Sequence, residues 1–511
     1  LFRSAAKLNK TTFNAANTNI KAYSESNNLS LALGCGGAGT FAFDGAAVNN
    51  DIFRDVYVKV DKSSTDNASG TFDSSAIAIG NTGSLAAVVL GAGKVSIGAG
   101  VSVNRMGGKV QSTLDGNNFK LKNISASSYS NQDITTIGIA GSGAGVSISG
   151  SIAYNAIEYN TIAEVLNSTL ISATNNIAVK ALSDDTIKNY AGVLSLGIGV
   201  PAPAGGAGGL GGGAPVPGVG AGAAANRNKF LKLFDTISGG LKRGSDKMGT
   251  LSNKMGGVGV GVSVSVNKID SKTNAKVSGG NVTAQGKDSN DKVKLKNQIA
   301  DSDINTNYAD SSTISIKDSL ADKRKETTKT GLVIDSSSTH TIKSFLASVS
   351  GGGKAAANAN VNVNYVGGET NASFENALVN KGLNGKTVGN VNINAADYTN
   401  TAGFIGNVAF GGKAGIGLSA DANKVVRNIN AKVSGIKDGS VANNLEVKAN
   451  SKQGISSVVA GLAASLKVGV AGNVDVAILN STTKALVENS KISVNSMDVE
   501  ANHYARAHEL A

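Results

Sequence analysis

Along residues 259–279, GVGVSVSVNKIDSKTNAKVSG, small and apolar residues alternate, reach an asparagine and begin to alternate again. Period-two alternation bounded by Asn, Ser, Gly and Asp is the pattern of short strands and turns, not of helices. The same strand recurs as GAAVNN ending at Asn50, GAGVSVN at Asn104, SGSIAYN at Asn155, GVSVSVN at Asn267, NANVNVN at Asn364, IGLSADAN at Asn423 and NVDVAILN at Asn480. The intervals are 54, 51, 112, 97, 59 and 57 residues, so most lie near 55 and one is close to twice that. A second strand follows with its Ala eight residues past the Asn in TIAEV, TNAKV, TNASF and INAKV, a distance the last unit shortens in TKALV. A third follows as NIAVKA (176–181), KVKLKN (292–297), NVNINA (390–395), NLEVKA (444–449) and MDVEA (497–501).

A set of short strands with one apolar face cannot bury that face alone, and ordering each residue costs about 1–2 kcal/mol of backbone entropy. Stacked neighbours supply the missing burial. The pattern therefore predicts an all-β parallel β-helix, or β-solenoid, of about seven repeats of about 55 residues, with Val, Ala, Ile and Gly stacked inward. At two or three coils per repeat and about 4.8 Å per coil, the stack is expected to rise roughly 70–100 Å. The seven asparagines are expected at corners, where Asn tolerates the left-handed conformation and stacked amides bond along a column.

Two long intervals reflect insertions at turns. Residues 1–29 read as an N-terminal extension or partial repeat, 30–200, 257–300 and 342–511 as solenoid, and 201–256 and 301–341 as inserted segments. The first insertion holds all four prolines, Pro201, Pro203, Pro215 and Pro217, in a Gly- and Ala-rich run that predicts a flexible tether. It leads to an amphipathic stretch with Phe230, Leu233, Phe234, Ile237 and Leu241 on one helical face beside Lys229, Lys232, Lys242 and Arg243. Such a helix either covers the solenoid flank or touches an anionic membrane or a partner.

Composition narrows the chemistry. The 511 residues include no Trp, one Cys, four Pro, 13 Phe, 10 Tyr and 65 Gly, so an aromatic-rich globular core is excluded and close backbone approach is required throughout. Cys35, in LGCGGAG, has no partner for an internal disulfide and reads as a packing residue. Polysaccharide-cleaving β-helices need clustered carboxylates and aromatic platforms, whereas the 36 acidic residues here are spread among turns. DSDI (301–304) and SDD (183–185) accordingly read as solvated corners, and neither a catalytic nor a metal or cofactor site is expected. His340, His503 and His508 are the only histidines. A transmembrane barrel would need bulky lipid-facing residues and aromatic girdles, which the alternation does not display, so no stable membrane span is expected. The net charge of +12 favours anionic partners such as host glycans or lipids, while no nucleic-acid motif accompanies it.

The AGVSVSVN-type strands, T-x-A-x-V and V-x-V-x-A in units of about 55 residues resemble, over roughly residues 30–505, the repeat region of leukotoxin and filamentous-haemagglutinin-like exoproteins of Gram-negative bacteria. That resemblance implies a β-helix exported by two-partner secretion through an outer-membrane transporter. It also implies a place outside the cell or on its surface, and a part in host-cell contact or toxicity. The expected function is a structural or adhesive shaft, with a cytotoxin segment or a self-assembling fibre subunit as alternatives.

Overall fold

A computed structural model describes residues 2–197, 257–298, 325–381 and 388–511. The described chain is all-β, and its strands stack in parallel as a β-solenoid. One sheet (sheet A) runs through β1 (Phe2–Asn9), β4 (Phe41–Asp61), β6 (Val95–Asp115), β8 (Val146–Leu166), β11 (Val258–Ser278), β16 (Ala355–Glu375), β19 (Ala414–Ser434) and β21 (Val468–Leu479), with β22 (Thr482–Glu488) also beside β19. The facing sheet (sheet B) stacks β3 (Asn17–Ala38), β5 (Ser64–Ala92), β7 (Asn118–Ala144), β10 (Ile177–Gly197), β15 (Leu332–Gly352), β18 (Val391–Gly411), β20 (Ser440–Ser465) and β23 (Ile492–Leu510). Short strands β2 (Thr12–Phe13), β9 (Leu170–Ala173), β12 (Asn281–Ala284) and β17 (Leu378–Val379) occupy a narrow third side.

Each repeat is therefore one coil, not two or three. Register proves it: Asn50 lies beside Asn104, Asn104 beside Asn155 and Asn155 beside Asn267. The eight levels of sheet A rise about 34 Å at about 4.8 Å per step, less than half the height expected from the sequence. The long strands of 21 residues use the chain that the extra coils would have needed.

The cross-section is a wedge. At its thin edge a two-residue corner joins sheet B to sheet A, as at Gly353-Lys354 and Gly412-Lys413. A Cβ added to Gly259 there would lie 2.8 Å from the Ser195 carbonyl of the facing sheet, so the backbones nearly touch. At the thick edge the interior holds Phe72, Phe119, Leu114 and Phe374, and the Phe72 and Phe119 rings lie 4.9 Å apart. Along β11 the buried positions accordingly run Gly259, Gly261, Ser263, Ser265, Asn267 and Ile269 and end at Ala275 and Val277. The valines at 258, 260, 262, 264 and 266 face outward. This reverses the expected phase along β11: where the sheets approach so closely Gly and Ser stand inside, Gly261 facing Val193 of sheet B, and the valines of β11 are left outside.

At the opposite end of each sheet A strand every coil turns through a left-handed residue: Lys10, Lys62, Gly116, Asn167, Gly279, Asn376, Gly435 and Asn489. The N–H of each of the first seven donates to the last residue of the next sheet A strand, as from Gly116 to the Leu166 carbonyl at 2.9 Å. These, and not the seven repeat asparagines, are the left-handed corners.

Three further expectations are corrected. KVKLKN is not a solenoid strand, because β13 (Val293–Gln298) pairs antiparallel with β14 (Lys325–Lys329) in a separate hairpin. The strand beside Ile177 is β15, whose Leu332 and Ile334 extend the inward column that Val391 and Leu445 continue. The segment placed at 301–341 therefore ends before Leu332, since DSSSTHT (335–341) is strand rather than loop. The boundary at residue 30 falls inside β3, and β1 already pairs with β4.

Gly116 turns at φ 65° with room limited by Lys62, so Gly116→Val is expected to lower stability by about 1–2 kcal/mol in urea unfolding. An unchanged midpoint would remove the left-handed corner as a determinant of the coil.

Candidate functional site

Six of the seven repeat asparagines form one ladder inside the wedge. Each side-chain amide donates to the carbonyl oxygen of the next, Asn50 to Asn104 at 2.8 Å, then Asn155 at 2.9 Å, Asn267 at 2.8 Å, Asn364 at 2.9 Å and Asn423 at 2.8 Å. The ladder stands at the middle of the sheet A strands, where the taper has opened enough for an amide but not for a large apolar group. Sheet B completes it: the Thr136 hydroxyl donates to Asn155 at 2.5 Å, and Ser344 donates to Asn364 at 2.8 Å. Asn480 is outside the ladder, because Ala477 is the residue beside Asn423 and Asn480 is exposed.

Two inward positions deeper toward the thick edge, past Ile52 and Val425, lies a buried polar chain that the sequence did not announce. The Arg54 guanidinium donates to the Ile79 carbonyl at 2.6 Å, to Gln132 at 2.6 Å and to the Tyr159 hydroxyl at 3.2 Å. Asp185 lies 3.3 Å from His340, His340 lies 3.8 Å from Asp397, and Asp397 lies 3.0 Å from Arg427. Burial pushes the Asp397 carboxyl up, but Arg427, His340 and the Ser338 and Thr399 hydroxyls hold it below the usual carboxylate range. Burial raises the Tyr159 hydroxyl. SDD is thus no solvated corner, since Asp185 is fully buried in β10. Both arginines stand beside a glycine in the neighbouring coil, Arg54 beside Gly108 and Arg427 beside Gly368; Gly368 clears space for the Arg427 guanidinium, whereas Gly80 of sheet B does so for Arg54 and Gly108 lies against the Arg54 backbone. A double glycine one repeat from an arginine, as in Gly107-Gly108 and Gly367-Gly368, was the signal available in the sequence.

Among the described residues no group of three His, Cys, Asp or Glu could hold a metal ion. Cys35, read as a packing residue, is exposed on the outer face of β3. Phe230, Leu233, Phe234, Ile237, Leu241, Lys229, Lys232, Lys242, Arg243 and DSDI lie outside the described residues. The insertion holding the nine leaves the solenoid between Gly197 and Gly257, at the thin-edge corner.

The outer surface offers two charged features. A shallow concavity of about 450 Å³ on sheet A is lined by Asp55, Lys109, Glu158, Asn160, Lys268, Asp270 and Lys272, but its charges are mutually matched, with Lys268 2.6 Å from Glu158 and 3.4 Å from Asp270. The thin-edge corner is different. Lys354, Lys413 and Lys467 are exposed at consecutive levels, tied by the Lys413 N–H donating to the Lys354 carbonyl at 2.9 Å. Their two-residue corners, Gly353-Lys354, Gly412-Lys413 and Leu466-Lys467, contain no acidic residue. Three like charges about 4.8 Å apart along the backbone repel one another, and a polyanion laid along the ridge relieves that repulsion. This ridge is the candidate site.

Asn155→Ala removes an acceptor for Asn104 and Thr136 and a donor to Asn267 inside the wedge, and is expected to cost about 2–4 kcal/mol in chemical denaturation. Asn480→Ala stays within about 0.5 kcal/mol. Asp335 is buried, with one carboxylate oxygen bonded to Asn394 at 2.6 Å and the other without a partner, and burial pushes it up to about 6. Because its folded pKa lies above the unfolded value, the charged form opposes folding above pH 6, and stability is regained as pH falls from about 6 toward 4. Asp335→Asn is expected to be more stable than the parent by about 2–3 kcal/mol at pH 8, with the gain gone at pH 4 in thermal or urea melts.

Comparison with protein-family models, with curated proteins and with solved structures returned no match.

Proposed function

We infer that this chain is a length of solenoid shaft of a secreted or surface-displayed bacterial exoprotein, and that it works by contact rather than by turnover, gripping polyanionic polymers of a host surface along its thin-edge ridge. The observation that carries the reading is the column of exposed Lys354, Lys413 and Lys467 on consecutive coils. A parallel stack sets their spacing by its backbone, so the charges form a line that a linear polymer can follow without any preformed pocket. The net charge of +12 draws the same class of partner by long-range attraction. The leukotoxin- and haemagglutinin-like character of the AGVSVSVN and T-x-A-x-V repeats supports a place outside the cell and export through an outer-membrane transporter. Insertions at the corners fit a shaft, because loops there leave the ladder beneath them in register.

The test is binding of the full chain to immobilised heparin, a sulfated polysaccharide, at about 0.15 M salt. The triple variant K354Q/K413Q/K467Q is expected to bind at least ten-fold more weakly, with a shallower salt dependence and an unchanged melting curve. Affinity that survives the triple variant, or no binding by the parent, overturns the ridge as the contact site.

A further inference from the structure

The outward phase of the valines leaves a second surface that the glycan reading does not use. From the thin edge to the level of the asparagine ladder, the outer face of sheet A carries Phe43 (69% exposed), Ile152 (48%), Val262 (39%), Val361 (39%), Leu418 (48%) and Val474 (57%). No charged side chain stands on that face across Phe41–Asn49, Val95–Val103, Val146–Tyr154, Val258–Val266, Ala355–Val363, Ala414–Ala422 or Val468–Val476, because Asp44, Asp421 and Asp475 occupy inward positions. Charges resume in the next outward row with Asp51, Arg105, Lys268 and Lys424.

We propose that this face is the self-association surface of the protein and that its occupant is the same face of a second copy. Area supports it. Nine residues on each of seven strands cover roughly 26 by 29 Å, or ~800 Å² per copy and ~1,600 Å² for the pair, which is the size of a standard stable interface and more than a monomer leaves bare. Side-chain size supports it as well: outside Phe41, Phe43 and Tyr154 the outward side chains are mostly Val, Ala, Gly, Ile and Leu, a low relief that a second sheet can meet at about 10 Å. Both copies use the same patch, so the contact closes as a two-fold dimer.

Sedimentation velocity of the full chain from about 0.1 to 100 µM is expected to show a reversible dimer. I152K/V262K, which places two cations on the patch, is expected to raise the dimer dissociation constant at least ten-fold. I152T/V262T, which keeps strand propensity, shifts it in the same direction if the lysine pair fails to fold. Val89→Lys, on the outer face of sheet B, leaves dimerisation unchanged. A monomer throughout the range, or a dimer that both sheet A variants leave intact, overturns the proposal. A monomer that binds zwitterionic phospholipid vesicles through Ile152 and Val262 assigns the face to lipid instead. The heparin measurement reads a different row of residues, so the two proposals fail separately.

Discussion

Everything in this fold depends on how closely the two sheets approach at the thin edge. Two backbones in near contact leave little room between them, and β11 answers with Gly259, Gly261, Ser263 and Ser265 in succession. Apolar burial along that half is confined to small clusters such as Ala46, Val48, Ala86, Val88 and Leu90, and main-chain ladders with hydroxyl and amide bonds contribute beside them. Apolar burial is concentrated at the thick edge, where Val56, Leu114, Phe119 and Phe374 pack. The asparagine ladder marks the change of regime between the two halves.

Polar groups in such an interior are costly to leave unpaired, at about 1–3 kcal/mol each. A ladder solves this by translation: an amide that donates upward and accepts from below is satisfied by copies of itself at the strand spacing. Arg54 and Arg427 solve it differently, each reaching across a glycine to carbonyls and side chains of other coils. Arg427 also has Asp397 as counter-charge, while Arg54 is held by neutral acceptors and the Tyr159 hydroxyl. The solenoid thus carries two different cross-ties at the same depth of its wedge.

The repeat itself was legible in the sequence, down to the asparagines that stand side by side. What alternation lacks is a phase: GVGVSVSV reads identically with its valines in or out, and the usual rule that apolar means inside fails on β11 because the facing strand already places Val193 against Gly261. The polar run DSSSTHT looked like loop for the same reason, yet Ser336, Ser338 and His340 point into the wedge. KVKLKN was mistaken for a coil strand because it alternates, whereas GLVIDS carries the Leu332 and Ile334 that the thick edge needs. Asn480 matched the motif but lies three residues past the ladder position, which Ala477 fills. The arginine cross-ties were hidden because their signal, a glycine pair in the neighbouring repeat, spans two coils.

The constant spacing of partners has a consequence for how such a chain acquires its shape. Away from the two insertions each long strand meets its neighbour 51–59 residues away, so a growing stack offers the next coil a finished template, and the cost of adding it does not grow with the number already in place. The step from Asn155 to Asn267 spans 112 residues, yet doubling a closing loop adds only about 0.6 kcal/mol of entropy. Assembly by successive addition therefore runs through the large insertion almost as readily as through a two-residue corner.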